Sequence, residues 1–151
     1  MISIREASEQ DFPAVCKLMK NELGYPDLDE IEAIKRLECF RHNEDWATFV
    51  AIIDSDIAGF IGVTKGMAYT IEGYYAQIMA LAVSENARRY GVGTALVKRA
   101  EEWGFSHGIS EIIVSSNERR LDAHAFYENL GYQLYKKSFM FSKLTTDRRH
   151  Q

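Results

Sequence analysis
Arg88-Arg89-Tyr90-Gly91-Val92-Gly93-Thr94 combines the residue types that a chain needs to hold a phosphate group. Glycine lacks a Cβ, so backbone N–H groups around Gly91 and Gly93 can approach an anion closely, and the positive end of a helix that starts there favours the negative charge. Arg88 and Arg89 add guanidinium forks that match phosphate oxygens. The spacing excludes two commoner phosphate loops. A dinucleotide fingerprint needs a third glycine where this chain has Leu96, and a Walker loop needs Gly-Lys-Ser/Thr, which is absent. What remains is Arg-x-x-Gly-x-Gly, read from residue types alone as either an anion site or a strand-to-helix turn that exposes arginines.

A second segment follows in order: Asn117, then Ala123-His124-Ala125-Phe126-Tyr127-Glu128-Asn129-Leu130-Gly131-Tyr132. With Arg88, Gly91 and Gly93 it resembles the GCN5-related N-acetyltransferase (GNAT) superfamily, in which Arg-x-x-Gly-x-Gly and Asn…Ala-x-x-Phe-Tyr-x-x-x-Gly-Tyr/Phe occur together. The resemblance implies acetyl-coenzyme A as donor, with no metal. It assigns the pyrophosphate to Arg88, Arg89, Tyr90, Gly91, Val92, Gly93 and Thr94, and the pantetheine arm to backbone groups of Leu81, Ala82 and Val83. Asn117 then contacts the pantetheine or diphosphate region, and Tyr127 lies near the thioester sulfur. A pantetheine carries peptide-like amides, so an opened strand edge can bind it as though it were another strand. Without the resemblance, Leu81 to Val83 are core strand and Tyr127 is an interfacial aromatic whose hydroxyl finds a backbone partner. His124 is given no catalytic role.

The chemistry so implied is attack of a neutral amine on a thioester in a ternary complex. A lysine-like ammonium with pKa about 10.4 is almost fully protonated at pH 7, and the gap of roughly 3.4 units costs about 4.6 kcal/mol at ~1.36 kcal/mol per unit. A carboxylate, directly or through water, can remove that proton. The departing thiolate can receive one from Tyr127, and a strand N–H such as that of Val83 can hold the oxyanion. Many relatives carry a glutamate in the strand before the glycines, whereas this chain reads Ala76-Gln77-Ile78-Met79-Ala80-Leu81-Ala82-Val83. Gln77 cannot accept the proton. Glu72 is taken as the base, with Glu22 as an alternative, and either is equally well a solvated charge. An α-amino acceptor with pKa near 7.7 to 8.0 lessens the need for a base. The absent glutamate also keeps open a non-catalytic acyl-CoA-binding sensor or interaction module.

Elements that place these residues can be read from periodicity. Ile2 to Arg5 is a strand. Asp11 is expected to cap a helix with Pro13 in its first turn and Val15, Leu18, Met19 and Leu23 inward; a second helix follows Asp29, burying Ile31, Ile34, Leu37 and Cys39 or Phe40. Trp46 to Ile53 and Ile57 to Thr64 flank the polar tip Asp54-Ser55-Asp56 as a hairpin, and Tyr74 to Val83 is a strand leading to the glycines. Leu96, Val97, Ala100 and Trp103 mark a helix that stops near Gly108. Glu111 to Ser115 is a strand, Leu121 to Leu130 a helix ended by Gly131, and Tyr132 to Tyr135 with Phe139 to Leu144 a closing antiparallel pair. This order gives an α/β (α+β layered) domain with a mixed, mostly antiparallel sheet flanked by helices on both faces, which is also the GNAT order.

One domain over residues 1–144 and a flexible tail over 145–151 are expected for 151 residues without repeats or linkers. A net charge of −4 argues against nucleic acid, and no run approaches the ~18 apolar residues of a membrane span. Cys16 and Cys39 form no Cys-x-x-Cys pair and read as two small buried thiols; with no secretion signal visible, the expected compartment is the cytoplasm. From Glu22 to Asp45, eight acidic side chains stand against three basic ones, a net −5. Such a rim would attract a cationic small-molecule or peptide amine, unless it is simply a solvated helix face. Tyr25, Tyr69, Tyr74 and Tyr75 could line an acceptor pocket or cover a homodimer surface.

Overall fold
The computed structural model describes residues 1–116 and 118–146 and divides into two compact units, the first Met1–Ser115 and the second starting at Ser116. The first unit is built on a five-stranded sheet of order β1-β2-β3-β4-β5, formed by Ile2–Glu6, Trp46–Ile53, Asp56–Gly66, Tyr74–Val83 and Ile109–Val114. Neighbouring strands are antiparallel except β4 and β5, which are parallel. The β2–β3 hairpin closes through Asp54 and Ser55, both at positive φ (50° and 74°), the geometry whose twist suits a two-residue hairpin turn.

Alternation along the strands sends side chains to two cores. On one face Val50, Phe60 and Ala82, which stand opposite one another across three strands, pack with Phe12, Val15, Cys16 and Leu18 of α1 (Phe12–Glu22) and with Leu37 of α2 (Glu30–Arg41). On the other, Phe49, Ile61 and Val63 face α3 (Val92–Ser106), whose Leu96, Val97 and Ala100 are fully buried. Helices therefore lie on both faces of a mixed sheet, as the sequence implies. Helix α3 ends before Gly108, whose φ of 76° supplies the left-handed residue expected there.

Several local expectations are corrected. Asp11 does not cap α1 with its side chain; it closes a 3₁₀ turn over Glu9–Asp11 that leads into the helix. Its carboxylate accepts hydrogen bonds from the Ser8 N–H (2.8 Å) and from both Nη atoms of Arg5 (2.6 and 3.0 Å). The Arg5 bonds, helped by Ser8 and opposed by burial, hold the Asp11 carboxyl below the usual carboxylate range. In α2 the inward stripe is Ala33, Ile34 and Leu37, while Ile31 and Cys39 are exposed. At ~100° per residue Cys39 sits about 200° from Leu37, so one packed face cannot bury both. Cys16 is buried as expected.

The second unit contains α4 (Leu121–Asn129), followed by Gly131 at a φ of 94°. The closing pair expected at Tyr132 to Tyr135 and Phe139 to Leu144 is not formed: these residues carry no regular secondary structure, and Leu134, Tyr135, Phe139, Met140 and Phe141 are exposed. Strand propensity measures packing more than backbone preference, and two strands without a further partner are marginal. Residues 147–151 of the expected tail lie outside the described residues.

Candidate functional site
Strand β4 is irregular where the donor site is expected. Its pairing with β3 slips between Gly62 and Val63, which stand opposite Ala80 and Ile78, so Met79 is an extra, unpaired residue. Such a bulge bends a strand and reverses the alternation beyond it. Ile78, opposite Val63, lies on the α3 face, and Ala80 and Ala82 lie on the α1 face. Past the same point β5 departs, since parallel pairing ends at Ile78 opposite Val114. From Met79 to Val83 one edge of β4 has no partner strand among the described residues.

The ladder decides which atoms face that open edge. Ser84 donates its N–H to the Ala58 carbonyl at 2.8 Å, and in an antiparallel pair every second residue does the same. Ala82 and Ala80 thus turn their N–H and C=O groups toward β3. Leu81 and Val83 present theirs to the open side, separated by one residue. Of the three strand positions assigned to the pantetheine, Ala82 cannot offer its backbone there.

Beyond β4, Ser84 begins a 3₁₀ turn over Glu85–Tyr90, an element not anticipated from the sequence. Gly91 follows at a φ of 76°, a left-handed conformation that side chains resist, and α3 starts at Val92. No side chain among the described residues caps this helix. The first intrahelical bond comes from Ala95 N–H to the Gly91 carbonyl, so the N–H groups of Val92, Gly93 and Thr94 have no helical acceptor. Three such donors with the positive helix end have the chemistry to hold an anion. Gly93 lies in the first turn of the helix.

Two further residues border this surface, and the sequence does not single them out for these roles. Gly59 of β3 lies under the helix start: a Cβ there would sit 2.8 Å from the Ala82 carbonyl oxygen, 3.1 Å from Val92 Cγ1 and 3.2 Å from Leu96 Cδ1. Its signal was a glycine inside a strand, which marks close backbone approach. Glu22, the last residue of α1, bonds Arg88 through Oε1 and Nη2. Arg89 and Tyr90 are exposed, and Arg89 makes no ion pair among the described residues.

The remaining assignments scatter. Glu72 is exposed in the turn before β4, where its carbonyl accepts a 2.6 Å bond from Ser110 Oγ. Tyr74 to Met79 alone spans about 17 Å of strand, so Glu72 is not brought to the bulge. Glu22, the alternative base, is engaged by Arg88. Gln77 is half-buried on the α1 face of β4, and Asn117 lies outside the described residues. In the second unit the Tyr127 ring meets Phe126 and Tyr132 edge-on, centroids 5.1 and 5.8 Å apart. Burial pushes the Tyr127 phenol above its ordinary pKa, against a smaller opposing effect of Arg120. Much of the acidic rim is paired: Glu30 with Lys20, Glu32 with Lys35, and Glu38 with Arg41 and His42. Tyr25, Tyr69 and Tyr74 are exposed, with Lys65 Nζ 4.0 Å from the Tyr74 ring centre. Among the described residues no group of three His, Cys, Asp or Glu side chains could hold a metal, and no helix is long and apolar enough to cross a membrane.

The sequence profile of the Acetyltransferase (GNAT) family matches residues 3–132. The chain belongs to the GNAT family. Within it, the chain is similar to N-alpha-acetyltransferase 30 of Homo sapiens, 29% identical over 140 residues that cover 91% of this chain and 36% of the relative. It thus spans about a third of the length of that protein and of its Mus musculus counterpart (36% in each). It is also 27% identical over 144 residues to aminoalkylphosphonate N-acetyltransferase of Salmonella typhimurium, covering 93% of this chain and 89% of the relative. Among solved structures, a transcriptional regulator from Bacillus halodurans matches with a TM-score of 0.85 and 25% identity, over 95% of this chain and 100% of that one. The aminoglycoside N-acetyltransferase AAC(6')-Iy, solved in complex with CoA, matches with a TM-score of 0.86 over 95% of each chain. At 16% identity that likeness is one of fold.

Proposed function
We propose that this GNAT member is an acetyl-CoA-dependent N-acetyltransferase that moves the acetyl group to a primary amine by direct attack in a ternary complex. The observation that carries the reading is the continuity of the unpaired β4 edge with the uncapped start of α3. One surface offers strand-like donors and acceptors at Leu81 and Val83, then three helix N–H groups at Val92, Gly93 and Thr94. A pantetheine arm ending in a diphosphate has that succession of amides and anionic oxygens. Arg89, with Arg88, adds charge to the diphosphate end. An N–H of the same edge stabilises the tetrahedral oxyanion, and the family resemblance alone assigns Tyr127 as the group that gives the departing thiolate its proton.

Exclusion of Glu72 from the bulge bears on the acceptor. With Glu72 remote from the bulge and Glu22 held by Arg88, an amine already partly neutral at pH 7 is favoured over a lysine-like one, which points to an α-amino group with pKa near 7.7 to 8.0. The relatives' names, N-alpha-acetyltransferase 30 and aminoalkylphosphonate N-acetyltransferase, support primary amines in this role. The test is thiol release from acetyl-CoA with peptides bearing free α-amino groups, aminoalkylphosphonates, polyamines and aminoglycosides, with CoA binding followed in parallel. Release that is fastest with α-amino peptides is expected. Binding of CoA without release from any amine would replace the enzyme by an acyl-CoA sensor.

A further inference from the structure
The Glu22–Arg88 pair joins the end of α1 to the turn just before Gly91, across 66 residues of sequence. It has three unusual properties. Glu22 is the last residue of α1, where the helix dipole disfavours negative charge, so a cation must compensate it. The carboxylate side chain is only 15% exposed, whereas that of Arg88 is 57% exposed and accessible to an arriving ligand. Arg88 itself stands three residues before the left-handed glycine that opens the anion site.

We infer that Glu22 is an electrostatic gate on the donor site, a carboxylate that neutralises Arg88 and so weakens the hold on the diphosphate of CoA. The direction follows from charge alone. If Arg88 stays on Glu22 when the diphosphate binds, the phosphates meet a neutral pair instead of a cation. If Arg88 swings to the phosphates, an ion pair is broken and a poorly solvated carboxylate is left at a helix C-terminus beside new negative charge. Either way Glu22 opposes binding of every ligand that carries the diphosphate. Free CoA carries it as well as acetyl-CoA, so the gate also hastens release of the product.

This inference rests on the donor site proposed above. Its test measures Kd for CoA and KM for acetyl-CoA in Glu22→Gln, which keeps the side-chain shape and removes the charge. Affinity for CoA should rise about three- to tenfold, the range for losing one partly screened like charge. Inhibition by product CoA should strengthen by the same factor. S-acetylpantetheine, which lacks the diphosphate, should show an unchanged KM, whereas a general disturbance of α1 would move it. In an Arg88→Ala background the gain from Glu22→Gln should shrink, because only direct repulsion of the phosphates by the carboxylate is left to relieve. Unchanged or weaker CoA binding in Glu22→Gln, or an equal change with S-acetylpantetheine, overturns the gate. Gly93→Val run alongside separates the two levels: loss of CoA binding there with no effect of Glu22→Gln refutes the gate alone, and normal binding refutes the donor site.

Discussion

Gly59→Ala probes how closely the sheet approaches the start of α3. The added Cβ would lie 2.8 Å from the Ala82 carbonyl oxygen, a backbone atom fixed by the β3–β4 ladder, and within 3.1 to 3.2 Å of Val92 and Leu96, both fully buried. None of these neighbours has a free direction to move, so the variant must lift the first turn of α3 from the sheet. Forcing one methyl into a packed core costs about 1–3 kcal/mol, and restricting the unfolded chain returns about 0.4–1 kcal/mol. A net loss of about 1–2 kcal/mol should lower Tm by about 2–8 °C at ~2–4 °C per kcal/mol for a chain of this size. Gly62→Ala, three residues along the same strand, is the control, because a Cβ there meets nothing within 4 Å. It should be neutral or stabilising by up to ~1 kcal/mol. Urea unfolding of the two variants should therefore separate them by about 2 kcal/mol. CoA affinity should fall only in Gly59→Ala, since Val92 carries one of the N–H groups proposed to bind the diphosphate. Equal stability of the two variants would refute the close approach and the placement of the helix start that depends on it.

Other substitutions test separate parts of the account. Tyr127→Phe should lower kcat by about 10²-fold, at the lower end for loss of a general acid, and leave CoA affinity intact, as measured by thiol release and calorimetry; unchanged turnover would remove Tyr127 from the reaction. Gly91→Ala places a Cβ at a φ of 76° and should cost about 1 kcal/mol in urea unfolding while weakening CoA binding. Asp11→Asn should cost about 1–2 kcal/mol at pH 7 through its hydrogen bonds to Arg5 and Ser8. Because the folded-state pKa of Asp11 is depressed, the wild type holds this stability above the ordinary carboxylate pKa and loses it as pH falls through the lower folded value. Unfolding curves of wild type and variant should accordingly converge in acid, and a constant gap down to strongly acidic pH would contradict that assignment.

The glycine motif was legible because residue type alone dictates its geometry: Gly91 takes the left-handed turn and Gly93 opens the first helical turn. Long periodic elements were legible for the same local reason, including α3 up to Gly108 and the β2–β3 hairpin. The bulge at Met79 was not, since Ala76 to Val83 is apolar almost throughout and a slip of register leaves no mark in such a run. Nor could local pattern reveal that β5 leaves β4 after Ile78, which leaves the outward backbone groups of Leu81 and Val83 without a partner strand among the described residues, whereas those of Ala82 are taken by β3. The Glu22–Arg88 pair links distant segments and has no sequence signature. The strands expected after Gly131 show the opposite failure: alternation of apolar residues indicates strand only when a partner is available to pack against.

The most direct test of the donor site is a two-dimensional amide NMR titration with CoA, which reads each backbone N–H separately. The largest shifts should fall on Leu81, Val83, Val92, Gly93 and Thr94, with much smaller changes at Ala80 and Ala82, whose N–H groups are bound to β3. Shifts concentrated on another surface, or equal shifts along Ala80 to Val83, would contradict the donor site.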